Sequence, residues 1–441
     1  MSRRKVNKDL LLVGLPPVTL GAAALAATLL LMRPAPPSEI VMATGVADGS
    51  YHAYALQYRD ILEREGVRLH LRPSAGSVEN YKHLSDADGG VDVAFVQGGI
   101  AGADGGARNV VSLGAMYYEP LWIFHRGDKP LDELGPLRGK MIAVGAENSG
   151  TAALAMSMLR SNGIAEPPTT VLKIGGRTAA DLLRSGDIEA AFFMADPRAP
   201  LIQEMMRTPG LHLLNLKRAE AYTRQHFFLT RLTLPQGVFD LERDVPSGDV
   251  TMIGTTANLL VRRDLHPALH YLLLRTATEV HAKPTFFSGL RQFPAPLDPE
   301  VPLSEEAERY YRSGSPLLQR YLPFWAANLV DRLLVLLLPA AVVLLPAMRL
   351  LPVLYRWRVR SRIYRWYARL KEIELQLEER RTSDELQGIL KRLDEIEEAV
   401  NHIDTPLAYS ENLYVFRQHI DLVRLRAQGR ASPASPVPFE V

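Results

Sequence analysis

The sequence predicts an α/β domain of parallel strands with helices on both faces, set between two membrane-spanning helices and followed by a C-terminal helical domain. Three observations carry this. Short β-branched runs alternate with helical stretches between residues 39 and 193. Two long apolar blocks, at 10–32 and 333–354, carry basic clusters on their outer flanks. After residue 363, apolar residues recur in steps of three and four.

Composition bounds the function. The 441 residues are enough for two or three domains, and 47% hydrophobic residues can bury a core. The 51 Lys and Arg nearly balance 49 Asp and Glu, which gives no global electrostatic case for nucleic acid. Cysteine is absent, which excludes disulfides, thiolate metal sites, Cys nucleophiles and a lipid-modified Cys.

Residues 1–9 form a short N-terminal segment. The run Leu10–Met32 holds 23 residues without a charge and would span roughly 34 Å as a helix. Arg3, Arg4, Lys5 and Lys8 place its start in the cytoplasm. Ala24-Leu25-Ala26 offers a signal-peptide cleavage alternative, but the apolar run continues through Leu31, which favours an uncleaved anchor. Residues 33–38 form a proline-rich linker. The second block, 333–354, is interrupted only by Arg349 and contains Pro339, Pro346 and Pro352. A membrane helix absorbs such prolines better than a buried soluble helix, the alternative reading. Seven arginines and no acid lie between Arg349 and Arg369, so this end is also expected in the cytoplasm. The expected protein is multi-pass in the plasma (inner) membrane, with an ectodomain at 39–325 in the periplasm or outside and both termini cytoplasmic.

Within that ectodomain the expected strands are 40–43, 67–71, 91–96, 141–144, 171–174 and 188–193. The expected helices are 53–64, 78–84, 152–162 and 179–184. In such sheets ligands bind where strand C-termini meet helix N-termini. Four small-residue, hydroxyl-rich stretches fall there: Thr44 to Tyr51, Pro73 to Asn80, Gln97 to Gly99, and Gly145 to Thr151. Ordinary helix caps would explain each singly. Four at equivalent positions predict one convergent cleft. The candidate ligand-binding residues are Thr44, Ser50, Tyr51, Ser77, Asn80, Gln97, Tyr117, Ser149, Gly150 and Thr151. Packed core positions are the competing reading for Tyr51 and Tyr117.

The pieces Thr44-Gly45, Gly76 to Asn80, Phe95-Val96-Gln97, Tyr117 to Pro120, Leu137 to Lys140, Ser149-Gly150-Thr151 and Gly186 to Phe192 occur in this order. In this the region resembles the TAXI-type solute-binding proteins of tripartite ATP-independent periplasmic (TRAP) transporters. The resemblance implies a type II periplasmic-binding-protein fold, with one lobe at about 39–121 and 247–293 and the other at about 122–246. It also implies capture of a small organic acid or amino acid and delivery to TRAP membrane subunits. Departures from the family pattern are Val46, Ala47 and Asp48 in the first loop, Asn148 where glycine is usual, and Gly98-Gly99 after Gln97. Asp48 would repel a nearby carboxylate or favour an ammonium group.

No phosphate loop, metalloprotease motif or serine nucleophile elbow occurs, so no enzyme activity, cofactor, metal or catalytic residue is expected. His266 and His270 share a helix face and are expected at the surface.

Residues 356–430 are expected to form a cytoplasmic helical domain, and 431–441 a disordered tail. Ile363, Trp366, Leu370, Ile373 and Leu377 make one heptad-like seam; Leu386, Ile389, Leu393, Ile396, Val400 and Ile403 make another. Thr382 and Glu385 have capping-box spacing, and Pro406 ends the second helix. Leu413, Phe416, Ile420 and Val423 predict a third helix packing back. Either a closed bundle or a coiled-coil surface for self-association follows. The arginines and aromatics of 356–369 suit a membrane headgroup interface rather than nucleic acid. A second functional reading is a structural or signalling membrane protein with a vestigial binding lobe and a working cytoplasmic domain.

Overall fold

The computed structural model describes residues 8–31, 34–104, 109–297, 300–378, 383–402 and 410–431. They form two units, Pro34–Val330 and a helical unit of Met1–Arg33 with Asp331–Val441. The first helix, α1 (Lys8–Leu31), belongs to the helical unit.

The α/β unit opens with β1 (Glu39–Ala43), α2 (Ser50–Arg64), β2 (Arg68–Arg72), α3 (Ser77–Ser85) and β3 (Val93–Gln97). β1 pairs in parallel with both β2 and β3, so each connection is a crossover that carries a helix. β4 (Val110–Arg126) follows, then β5 (Met141–Ala143), α4 (Gly150–Ser161), β6 (Thr170–Leu172), α5 (Gly176–Ser185) and β7 (Ala190–Met194). β5 pairs in parallel with β6 and β7, so the second half repeats the arrangement of the first. Next come α6 (Pro200–Met206), β8 (Leu211–Leu213), α7 (Ala219–Gln225), β9 (Thr230–Leu234), β10 (Val250–Arg262) and α8 (Pro267–His281). α9 (Glu305–Ser313) and α10 (Leu317–Tyr321) lead to α11 (Phe324–Glu378), α12 (Ser383–Asn401) and α13 (Ser410–Ala431).

The strand order is β2-β1-β3-β10-β4-β7-β5-β6. The sheet is therefore not wholly parallel. β10 and β4 run antiparallel to each other and join the two parallel triplets. β4 pairs with β10 up to Pro120 and with β7 from Leu121 onward. This divides the unit into two lobes, each with helices on both faces of its sheet. Lobe 1 buries Tyr58, Phe95 and Leu269 on one face and Tyr81, Leu84 and Val96 on the other. Lobe 2 buries Ile142, Met158 and Phe192 on one face and Trp122, Leu183 and Phe193 on the other. Each fully buried large side chain contributes about 1.5–3 kcal/mol.

The histidine expectation needs correction. His266 caps α8, accepting a hydrogen bond from the Ala268 amide at 3.2 Å. His270 is buried, not exposed, with Nδ1 3.2 Å from Glu306 Oε2. It sits one turn into a helix whose inner face packs on lobe 1, so the i, i+4 pair straddles the boundary of that face.

In the helical unit, both apolar blocks fall within helices. Among the described residues, no helix is long and apolar enough to cross a membrane. The block at 333–354 is a segment of the 55-residue α11, which runs on through its arginines. Gly21 of α1 is buried, and a β-carbon there would lie 3.2 Å from Leu344 Cδ2. The seam residues of α11 and α12 and the face of α13 form one buried cluster that includes Leu370, Leu393, Phe416 and Ile420. The seams thus close on a third helix of the same chain rather than forming a two-stranded coiled coil. Met32, Thr382, Ile403, Pro406 and the 432–441 stretch lie outside the described residues.

Leu393 is fully buried, so Leu393→Ala is expected to cost the helical unit about 2–5 kcal/mol. Hydrogen exchange should show α12 and α13 losing protection while β4 and β10 keep theirs. Equal loss in β4 and β10 would contradict this expectation.

Candidate functional site

Three helices begin where parallel strands end: α2 after β1, α3 after β2 and α4 after β5. Their N-caps are Gly49, Gly76 and Ser149, and the Ser149 hydroxyl accepts from the Ala152 amide at 3.2 Å. The three N-termini converge on one cavity of about 110 Å³ between the lobes. Each brings unpaired amides and the positive end of a helix dipole. Among the described lining residues there is no Lys, Arg or His.

Thr44, Ser50, Tyr51, Ser77, Gln97, Ser149, Gly150 and Thr151 line this cavity. Asn80 does not. It is fully buried, its amide donates to the Phe95 carbonyl at 2.9 Å, and its Oδ1 accepts from the Ser74 hydroxyl. Asn80 therefore fixes the loop before α3 to strand β3. Tyr117 lines a second cavity, of about 370 Å³, on the other side of the α2 N-terminus. Gly49 and Ser50 lie on both.

The departures from the expected loop pattern also find places. Asn148 has φ +62°, a left-handed conformation that asparagine tolerates better than other non-glycine residues. Asp48 lies on the second cavity, away from the helix-terminus cavity.

The lobes meet here directly. Gln97 Nε2 donates to the Gly150 carbonyl at 3.3 Å, and a β-carbon on Gly76 would lie 3.4 Å from Ser149 Cα. A β-carbon on Gly150 would collide with Gln97 Oε1 and lie 3.3 Å from Ser77 Cβ.

One lining residue escaped the sequence reading. Glu119, on β4, is buried, and its Oε2 accepts from the Tyr51 hydroxyl at 2.7 Å. Tyr51 and Ser77 hydroxyls are 3.0 Å apart, and the Gln97 amide donates to Ser77 Oγ at 3.1 Å. With Tyr51 donating to Glu119, the proton order runs from Gln97 N–H through Ser77 and Tyr51 to the carboxylate. Burial pushes the Glu119 pKa up to about 7; the Tyr51 hydrogen bond opposes this and Asp196 adds to it. Burial, with the Glu119 charge, also pushes the Tyr51 hydroxyl well above its usual range. The available signal was an acid inside the otherwise apolar run 110–125, at Tyr117-Tyr118-Glu119-Pro120.

The profile of the NMT1-like family matches residues 42–313. The chain belongs to the NMT1-like family. The matched residues span both lobes of the α/β unit, including the lobe-joining strand pair described above. Among solved structures, this NMT1-like chain is similar to a protein from Bordetella bronchiseptica RB50 at 15% identity, covering 56% of this chain and 72% of that one, with a TM-score of 0.40. It is also similar to the periplasmic aliphatic sulphonate binding protein SsuA from Escherichia coli at 14% identity, covering 71% and 83%, with a TM-score of 0.35. The alkanesulfonate-binding SsuA from Xanthomonas axonopodis pv. citri bound to MOPS gives 16% identity, 56% and 74% coverage, and a TM-score of 0.37.

The buried acid generates a prediction about stability. An unfolded glutamate titrates near 4.5, whereas native Glu119 titrates near 7. Between those values the native state holds a proton that the unfolded chain has released. Stability should therefore fall as pH rises through this window, by ~3 kcal/mol, and level off above it. Glu119→Gln should abolish that component. Denaturant titrations of both proteins at pH 4.5, 6 and 8 measure it, and a constant difference across pH would contradict it.

Proposed function

We propose that this NMT1-like chain is a membrane-anchored, extracytoplasmic solute-binding protein of the TAXI type that captures a small organic acid or amino acid for uptake through a TRAP transporter. The observation that carries the reading is the convergence of three helix N-termini on one inter-lobe cavity whose described lining holds no cationic side chain. Backbone amides and dipoles would receive the carboxylate there. The hydroxyls of Thr44, Ser50, Tyr51, Ser77, Ser149 and Thr151 and the amide of Gln97 would orient it. A volume of about 110 Å³ is that of roughly four waters, which suits a compact acid in the closed state. Protonated Glu119 would donate a hydrogen bond, whereas its ionised form would repel the ligand.

No described helix is long and apolar enough to cross a membrane, so the anchoring part of the proposal rests on the uncharged sequence run Leu10–Met32 and on the exposed Leu334, Leu338 and Leu345 of α11. Apolar side chains in that number are stable against lipid and costly against water.

A second reading is favoured by the direct lobe contacts through Gln97, Gly150, Gly76 and Ser149. In it the binding lobe is vestigial and closed on itself, and the helical unit is the working part of a structural or signalling protein.

Calorimetric titration of the full-length protein with two- to five-carbon carboxylic and amino acids separates the two. The proposal expects one of them to bind, more weakly as pH rises through 7, and Gly150→Ala to reduce affinity at least tenfold by closing the cavity. Absence of binding across the panel, or an unchanged affinity in Gly150→Ala, would support the vestigial reading instead.

A further inference from the structure

The second cavity offers a different chemistry from the first. Its volume of about 370 Å³ lies in the range of small-molecule sites, ~300–1,000 Å³. Lobe 1 supplies the N-terminal half of α2, Tyr117 of β4 and the end of α8 with the segment after it. Lobe 2 supplies Asp196, Arg198, Ala199 and Pro200, just beyond β7.

Its floor is aromatic. Tyr54 and Tyr117 rings lie 4.8 Å apart, Tyr54 and His281 4.7 Å, and Tyr117 and His281 5.6 Å. Burial lowers the His281 pKa to about 3, so its ring is neutral. His281 Nε2 is buried and makes no hydrogen bond among the described residues, and the buried Tyr117 hydroxyl faces the Glu119 charge. A buried polar atom left without a partner costs about 1–3 kcal/mol.

The charges are of both signs. Asp196 is engaged: it accepts from the Tyr54 hydroxyl at 2.8 Å, and its Oδ1 accepts from the Arg198 amide at 2.8 Å, with Arg198 Nε 3.6 Å away. That leaves Asp48 and Lys283, both exposed and therefore at the rim. Neither forms an ion pair among the described residues, with the other or with any third group. One free carboxylate and one free ammonium above an aromatic floor match a ligand with both charges and an apolar body.

We propose that this chamber is a second ligand site, distinct from the helix-terminus cavity, that takes a zwitterionic amino acid with a large apolar or aromatic side chain. Asp48 receives the ammonium group, Lys283 receives the carboxylate, and the side chain lies over Tyr54, Tyr117 and Phe293. The site bridges the lobes, so occupancy favours the closed arrangement.

The test is calorimetric titration of the full-length protein with L-phenylalanine, alongside 3-phenylpropanoate, which lacks the ammonium group, and phenethylamine, which lacks the carboxylate. L-Phenylalanine is expected to bind at least tenfold more tightly than either. Lys283→Met is expected to weaken L-phenylalanine at least fivefold without changing phenethylamine. Asp48→Asn is expected to weaken L-phenylalanine similarly without changing 3-phenylpropanoate. Both side chains are exposed, so unchanged melting temperatures verify the fold. No binding of L-phenylalanine, equal binding of the three compounds, or unchanged affinity in both variants overturns the proposal.

Discussion

The antiparallel pairing of β4 with β10 is the constraint on which the rest of the α/β unit depends. Each parallel triplet could form from its own βαβ units, but only these two strands join the triplets. Their crossover is tightly determined. Gly254 faces Pro120, and a β-carbon on Gly254 would lie 2.7 Å from the Glu119 carbonyl and 2.6 Å from Leu232 Cδ1. Pro120 donates no amide hydrogen, so β4 can change partners there without leaving a buried donor unpaired. The same crossover fixes where Tyr117 and Glu119 stand. Two residues apart on one strand, they share a face of the sheet, and each contributes to one of the two inter-lobe cavities.

The Glu119 environment follows from that placement. A buried carboxylate without a cation is strongly disfavoured in its charged form. One hydrogen bond from Tyr51 recovers about 1.5–3 kcal/mol, less than the desolvation of an ion. The proton is therefore retained to about pH 7. The hydrogen-bond chain through Ser77 to the Gln97 amide ties this acid to both α3 and β3. The acid's protonation and the geometry of the α3 N-terminus are thus parts of one network rather than independent features.

The sequence made the local α/β pattern legible and hid the long connections. Strands such as β1, β3 and β7 are short apolar runs bounded by turn residues, and they stand within a few residues of where the pattern puts them. β4 has seventeen residues buried almost throughout, so it shows no alternation from which strand or direction could be read. β10 has the same character. For the site, the helix-opening stretches signalled most of the lining because strand-to-helix turns carry local composition cues. Asn80 misled because its side chain turns back to Phe95 rather than toward the cavity. Glu119 was overlooked because nothing local to a strand distinguishes an acid that meets a helix from another segment. Asp48, read as a threat to a carboxylate, stands on the other cavity.

Closure of the lobes is held by few polar contacts. Gln97 bonds the Gly150 carbonyl, Tyr54 bonds Asp196, and the Asp196 amide bonds Ser50. At about 0.5–1.5 kcal/mol for a neutral hydrogen bond and 1.5–3 for one to a charge, their sum is a few kcal/mol. Opening about β4 and β10 would break all three together while leaving both parallel triplets intact. It would also separate Gly76 from Ser149, whose backbones lie close together across the cleft. A difference of a few kcal/mol between closed and open states is within reach of a single ligand's differential affinity. Ser50 is where this balance concentrates. Its hydroxyl accepts the Asp196 amide across the cleft, it begins α2, and it borders both cavities. A ligand that competes for Ser50 in either cavity acts on the same inter-lobe hydrogen bond. The two cavities thus border one and the same inter-lobe hydrogen bond, even though they differ in size, charge and lining.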